Sequence, residues 1–245
     1  MKKTFELVGM WLMAMVLCCN FTACSSDDDD NEDGGGGANG GKRLVSIKYN
    51  SRDSYTGDVK IRVRRFEYDN SGRIVKDIDS DSEEDNDCIT TYEYGEKKIT
   101  RTIREDPYVD RYEYSLRDGR IVKLTTDSGV TSYKYDGNKL INGANYGDGS
   151  PYDLITWDGD NIATCGVAAY TYSNLESSIG WNEYEGGVDD VLYNQGYFGD
   201  RSRNLMATGG CIDYGAATSY TYEVNGGYVT KAVGSNGGSI EYVWE

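Results

Sequence analysis

Tyr112-Glu113-Tyr114-Ser115-Leu116-Arg117-Asp118-Gly119-Arg120-Ile121-Val122-Lys123-Leu124-Thr125 decides how this chain folds. Two aromatic residues flank one charged residue, an Asp-Gly turn follows, and an aliphatic run returns. Strand side chains alternate between faces, so Tyr112 and Tyr114 share one face and Glu113 points to the other. Asp-Gly supplies the positive φ that a two-residue hairpin turn demands. β-branched and aromatic residues dominate and the apolar period is two, which disfavours a helix. The stretch reads as a β-hairpin.

The unit recurs. Tyr68-Asp69-Asn70-Ser71-Gly72-Arg73-Ile74, Tyr94-Gly95-Glu96-Lys97-Lys98-Ile99, Tyr135-Asp136-Gly137-Asn138-Lys139-Leu140 and Trp157-Asp158-Gly159-Asp160-Asn161-Ile162 repeat the order of aromatic, turn and aliphatic. Counted from the aromatic and including Tyr114, these copies lie 26, 20, 21 and 22 residues apart, and a late copy runs from Tyr222 to Val229. The same alternation appears in Phe66-Glu67-Tyr68, Tyr92-Glu93-Tyr94, Tyr133-Lys134-Tyr135, Tyr170-Thr171-Tyr172 and Tyr220-Thr221-Tyr222. Each period holds two strands of roughly 7 to 8 residues and two turns. With Leu44–Tyr49 and Ser239–Trp244 added, the units predict on the order of 14 strands.

The fold class that follows is all-β: an antiparallel up-and-down meander of hairpin repeats. So many twisted strands cannot stay flat, so the sheet is expected to be strongly curled or closed into a barrel-like form. Its Tyr-lined face packs rings together while the hydroxyls find partners. Regularity fails between Ile162 and Tyr220. There Val188 to Gly196 predicts one short helix or irregular insert, with Val188, Val191 and Leu192 on one face, plugging a barrel mouth or covering an edge.

At the N-terminus, Lys2 and Lys3 precede 13 residues, Leu7 to Cys19, that are apolar apart from Gly9. That is the length of a secretory h-region and is shorter than the roughly 20 residues a membrane-spanning helix needs. Phe21-Thr22-Ala23-Cys24 resembles the lipobox of bacterial lipoproteins. The resemblance implies cleavage before Cys24 and acylation of Cys24, giving a signal peptide over 1–23 and a membrane partner reached through lipid. Several acyl chains, at about 0.8 kcal/mol per buried methylene, make a stable anchor. An ordinary secretory signal with a chance cysteine is the competing reading. Residues 24–41 are acidic and Gly-rich and read as a flexible tether, leaving 42–245 as a single β-meander domain. An acidic run directly after the lipidated cysteine also resembles the surface-export signal of lipoproteins in some Gram-negative gut anaerobes. That resemblance implies the outer membrane, facing the cell exterior, whereas a solvated spacer on a periplasm-facing lipoprotein carries the same charges.

Composition narrows the functions. The 245 residues include 22 Tyr, 31 Gly and only 2 Pro, with a net charge of −16 and no histidine. Residues 42–135 balance 19 basic against 19 acidic groups, while 136–245 hold 4 basic and 15 acidic. An acidic half argues against nucleic acid, whose phosphates require Lys and Arg. Without histidine there is no Ser-His-Asp or Cys-His nucleophile, and a zinc site has too few ligands. Cys88, Cys165 and Cys211 are far apart and odd in number; one disulfide with a leftover thiol, or three buried thiols, fit equally. No phosphate-cradling glycine loop occurs. Asp148-Gly149-Ser150 with Asp153, and Asp158-Gly159-Asp160-Asn161, carry turn residues and lack the spacing of a calcium loop. No catalytic residue, metal or cofactor is therefore expected. Trp157, Trp181 and Trp244 read as core residues in preference to sugar platforms.

The hairpin units, the run Gly196-Tyr197-Phe198-Gly199-Asp200-Arg201-Ser202-Arg203-Asn204-Leu205 and the terminal Tyr-x-Tyr hairpin together resemble a lipoprotein family of gut Gram-negative bacteria, a domain of unknown function with a porin-like fold. Tyr68 to Ile74 alone resembles the tyrosine–aspartate repeats of Rhs-type toxin shells. The resemblance implies a small curled meander and carries over no site residues. Glu67, Glu93, Glu113 and Lys134 occupy the face opposite the rings, where a transmembrane barrel would be apolar. The functional expectation is a lipid-anchored, cell-surface, non-enzymatic protein binding an extracellular glycan or protein. A structural or accessory subunit of an outer-membrane complex is the second expectation. A carboxylate-dependent glycosidase is the third, requiring two acids facing each other across a cleft.

Overall fold

A computed structural model describes residues 41–52, 56–82, 87–142, 154–182, 188–211 and 217–245. The expected signal peptide, Cys24, nearly all of the expected tether and the acidic segment Asp148–Asp153 lie outside the described residues. Among the described residues seventeen strands follow one another: β1 (Leu44–Arg52), β2 (Val59–Tyr68), β3 (Ile74–Asp81), β4 (Cys88–Tyr94), β5 (Lys98–Glu105), β6 (Tyr108–Arg117), β7 (Arg120–Thr126) and β8 (Gly129–Ser132). Then come β9 (Lys134–Asp136), β10 (Lys139–Asn142), β11 (Ile155–Asp158), β12 (Asn161–Cys165), β13 (Ala168–Glu176), β14 (Asn204–Cys211), β15 (Thr218–Asn225), β16 (Tyr228–Gly234) and β17 (Ser239–Trp244).

Fifteen of them form one antiparallel sheet in the order β11 to β17, then β1 to β8. The strand nearest each chain end joins the two halves, because β1 pairs with β17. The two edge strands are brought to either side of the β9–β10 hairpin. On one side Tyr133 donates from its backbone N–H to Val122 O at 3.0 Å, extending the β7–β8 pairing. On the other side a single bridge joins Asn142 to Leu154. The sheet is thus strongly curled but not closed by a continuous ladder. More strands form than the repeat count suggests, because one strand breaks at Tyr133 into β8 and β9. The irregular stretch after Ile162 also contributes β13 and β14.

Alternation places the aromatic pairs inside. Phe66, Tyr92, Tyr114, Tyr133 and Tyr242 are buried, and Tyr68, Tyr94, Tyr135, Tyr170 and Tyr222 are half-buried against them. The intervening charges face out and pair across strands, as Lys76 does with Glu67, Lys98 with Glu113 and Lys231 with Glu223. A lipid-facing barrel wall has no place for such a surface. The third hairpin departs from the expected spacing. Leu116 stands opposite Ile121 where Tyr68 stands opposite Ile74, because a bulge follows Ser115 and β6 runs on to Arg117 before a tighter, two-residue turn. Asp118 and Gly119 both take positive φ there, as a two-residue hairpin turn requires.

One layer of side chains closes one end of the curl. Leu44, Ile74, Ile99, Ile121, Leu140, Ile162, Leu205 and Val229 stand first or second in their strands, and none is more than 3% exposed. Burying each side chain is worth about 1.5–3 kcal/mol. The segment between β13 and β14 packs on this layer from inside. It holds a 3-10 turn (Ser177–Ile179) and a five-residue helix, α1 (Asp190–Asn194), shorter than the expected span. Asp189 caps α1 by accepting from Leu192 N at 2.8 Å. Val191, Leu192, Tyr193 and Phe198 are buried, so the insert is the filling of the curl.

Hydrogen bonds explain why the repeat uses tyrosine. The hydroxyls of Tyr68, Tyr94, Tyr172 and Tyr222 each donate at 2.6 Å to the backbone carbonyls of Leu44, Ile74, Ile162 and Met206. Tyr135 reaches Ile121 O at 2.5 Å, while the indoles of Trp157 and Trp244 reach Leu140 O and Val229 O. Three of these residues also give their N–H to the insert: Ile74 to Gln195 Oε1, Ile121 to Tyr197 O and Ile162 to Ser202 Oγ. Buried backbone groups left unpaired by the splayed strands are thereby satisfied.

Candidate functional site

Away from that apolar layer the inner face turns polar. Arg62 and Arg64 share the inner face of β2 with Phe66, and Asp77 and Asp79 share that of β3. These four, with Cys88, Arg101, Ile103, Tyr112, Leu124, Val188, Asp189 and Asp190, line a chamber of about 580 Å³. The insert supplies its floor and β2 to β7 its wall. The Arg62 side chain is 43% exposed and marks the mouth; Arg64 at 10% and Asp189 at 2% mark the floor.

The floor is an ion-pair network. Arg64 donates from Nη2 to Asp77 Oδ2 and from Nη1 to Asp190 Oδ2, both at 2.6 Å. Trp181 Nε1 gives Asp190 a further bond at 3.3 Å. Arg101 Nε lies 3.1 Å from Asp189 Oδ2, and the Tyr92 hydroxyl donates to the same oxygen at 3.2 Å. Each guanidinium also lies over a ring: Arg64 over Phe66, Arg101 over Tyr112 and Arg62 over Tyr49. Burial pushes the Asp77 and Asp189 carboxyls up, against the pull of Arg64 and Arg101. Burial opposes ionisation of Asp190 too, but the Arg64 guanidinium and its hydrogen bonds hold that carboxyl below the ordinary range.

Adjacent carboxyls pushed in opposite directions are the pattern of an acid and base pair. Here both carboxyls are engaged by partners of the wall and the insert. Asp189 is sealed and spends its oxygens on Leu192 N, Tyr92 and Arg101; Asp190 is held by Arg64 and Trp181. Both tie the insert to the wall.

Other expected residues fall elsewhere. Cys88 lines the chamber and is a free thiol, pushed up by burial and by nearby acids. Cys165 and Cys211 stand opposite Ala168 on the strands to either side of it. Asp158 to Asn161 form the β11–β12 turn. Trp181 is buried against Phe66, with ring centroids 5.3 Å apart, and Trp157 and Trp244 are half-buried. Among the described residues no three acidic or thiol groups are grouped closely enough to hold a metal ion. The sequence reading missed Arg62, Arg64, Asp77, Asp79 and Arg101. A signal existed: Arg62-Val63-Arg64 and Asp77-Ile78-Asp79 put like charges two residues apart, on the face that carries the rings.

The fold matches that of a porin-like protein from Bacteroides uniformis, known from its crystal structure. The TM-score is 0.61 over 82% of this chain and 98% of that one, at 16% sequence identity. No protein-family model matches the chain, and no curated protein does.

Proposed function

We propose that this is a lipid-anchored outer-membrane protein, displayed on the outer face of the cell, which binds an extracellular ligand in its chamber without transforming it. One relationship carries the reading. Leu44 begins β1 at the end closed by the apolar layer, and Arg43 is bonded there to Glu245 through both backbone groups. The chamber opens toward the other end, about 30 Å along a nine-residue strand. The chain therefore enters the folded domain at the end opposite the mouth, which leaves the chamber unobstructed for a ligand. The porin-like neighbour agrees with an outer-membrane setting.

The anchor is tested by labelling cells with a palmitate analogue and shaving intact cells with protease. The wild-type chain incorporates label, sediments with outer membrane and is cleaved from outside; Cys24→Ser loses label and becomes soluble. An unlabelled or shaving-resistant wild-type chain overturns the reading.

A second reading, accessory subunit of an outer-membrane complex, is favoured by the apolar residues left exposed at strand starts around the mouth: Val59, Tyr108, Val109 and Val130. Cross-linking that recovers a stoichiometric membrane partner, lost in Tyr108→Glu, supports it over free ligand binding.

A further inference from the structure

We propose that the chamber takes an uncharged polyhydroxylated ligand, a neutral sugar unit, and that the Arg62–Asp79 pair at its mouth recognises adjacent hydroxyls. This rests on reading the chamber as a binding site and names what it binds.

Charge comes first. The lining holds three guanidiniums and four carboxylates, and every one of them is in an ion pair. A carboxylate, sulfate or phosphate ligand would have to displace an aspartate from its arginine or sit beside Asp79 at Arg62 Nη1, and either way it would meet the remaining acids. An ammonium ligand would have to displace an arginine. Hydroxyl groups need neither exchange, because they add to lone pairs and N–H groups that the pairs leave over.

The Arg62–Asp79 pair leaves such groups at an accessible place. Arg62 Nε donates to Asp79 Oδ1 at 2.8 Å and Oδ2 at 2.9 Å, and Nη2 also donates to Oδ2. Nη1 takes part in none of these bonds, and Oδ1 accepts only one. The guanidinium lies over the Tyr49 ring, 5.3 Å from its centroid, which fixes its plane. A planar donor and an acceptor side by side match two neighbouring hydroxyls, one accepting from Nη1 and the other donating to Oδ1. Arg64, in contrast, engages Asp77 and Asp190 through Nε and both Nη atoms and lies at the buried floor.

The rest of the wall suits a ring with one apolar face. Ile103, Leu124, Val188 and the Tyr112 ring line the chamber beside this polar edge. A volume of about 580 Å³ lies within the roughly 300–1,000 Å³ of small-molecule pockets. Apolar walls with a few placed polar groups are how such pockets fix orientation.

The test uses the full mature chain in detergent, titrated calorimetrically against neutral disaccharides (maltose, cellobiose and mannobiose), digalacturonic acid and the glucosamine dimer. The same sugars are scored for shielding of Cys88 from alkylation, and a broad glycan array extends the set. At least one neutral sugar is expected to bind and to shield Cys88. Asp79→Asn and Arg62→Gln should each weaken it at least tenfold, while Arg65→Gln, on the outer face, leaves it unchanged. If Asp79→Asn disturbs the fold by circular dichroism, Arg62→Gln decides. Binding confined to acidic or amino sugars, or binding indifferent to both variants, overturns this inference and leaves the chamber a binding site. Silence across the array with Cys88 equally reactive overturns both.

Discussion

The Gln195 side chain and the Tyr94 hydroxyl are joined by a 3.0 Å hydrogen bond, with the amide nitrogen donating. Tyr94 in turn donates to Ile74 O at 2.6 Å, and Ile74 N–H returns to Gln195 Oε1 at 3.1 Å. This closed triangle ties two neighbouring strands and the insert to one buried isoleucine. Tyr94→Phe leaves the Ile74 carbonyl unpaired, at a cost of about 1–3 kcal/mol. Urea unfolding of Tyr94→Phe beside Tyr108→Phe, whose ring is exposed, measures it; equal midpoints would show that the hydroxyl is idle.

Asp190 should link stability to acid. Its folded-state carboxyl is held below the ordinary value by Arg64 against the opposing effect of burial, so its contribution is present above the unfolded value of about 3.9. That contribution disappears as pH falls through the depressed folded value. Asp190→Asn leaves Arg64 short of a buried partner and is expected to lose about 3–5 kcal/mol at neutral pH. The gap between wild type and variant should stay constant from pH 7 to about 5 and close in stronger acid. Urea midpoints across that range check it.

Gly199 should tolerate no side chain. Its φ is +82°, and an added Cβ would collide with the Asn138 carbonyl oxygen. Gly159, at φ +56° in the β11–β12 turn, faces open space, so Gly159→Ala costs only the left-handed backbone penalty of about 1–2 kcal/mol. Gly199→Ala is expected to lower the thermal midpoint by clearly more than Gly159→Ala.

Cys88 should be a slow thiol. Burial first, and then the nearby acids, raise it above the ordinary value of 9.0. Alkylation by iodoacetamide, followed at this residue by peptide mass spectrometry, is expected to lag a free cysteine peptide at neutral pH. The rate should still be climbing past pH 9.

The hairpins were legible because the signal is local. Tyr68 to Ile74 and Tyr135 to Leu140 carry aromatic, turn and aliphatic in consecutive positions, and their faces follow from alternation alone. The shift at Leu116 was not, because a bulge changes which residue meets Ile121 without altering composition. The chamber was half legible. Its charges stand two apart on β2 and β3, but Asp190 is 126 residues from Arg64, and Asp189 lies on the same distant insert while pairing with Arg101 on β5.

Sequence alone determined that this chain makes hairpins and that each pair of rings lies on one side, since both follow from a period of two and from turn residues. It also determined the acidic balance and the absence of histidine. Only the tertiary structure decided where the sheet stops, what fills it and where its charges meet. Those depend on which strand edges the insert between β13 and β14 satisfies, and a backbone N–H such as that of Ile162 carries no mark in the sequence of the serine forty residues away that will pair with it.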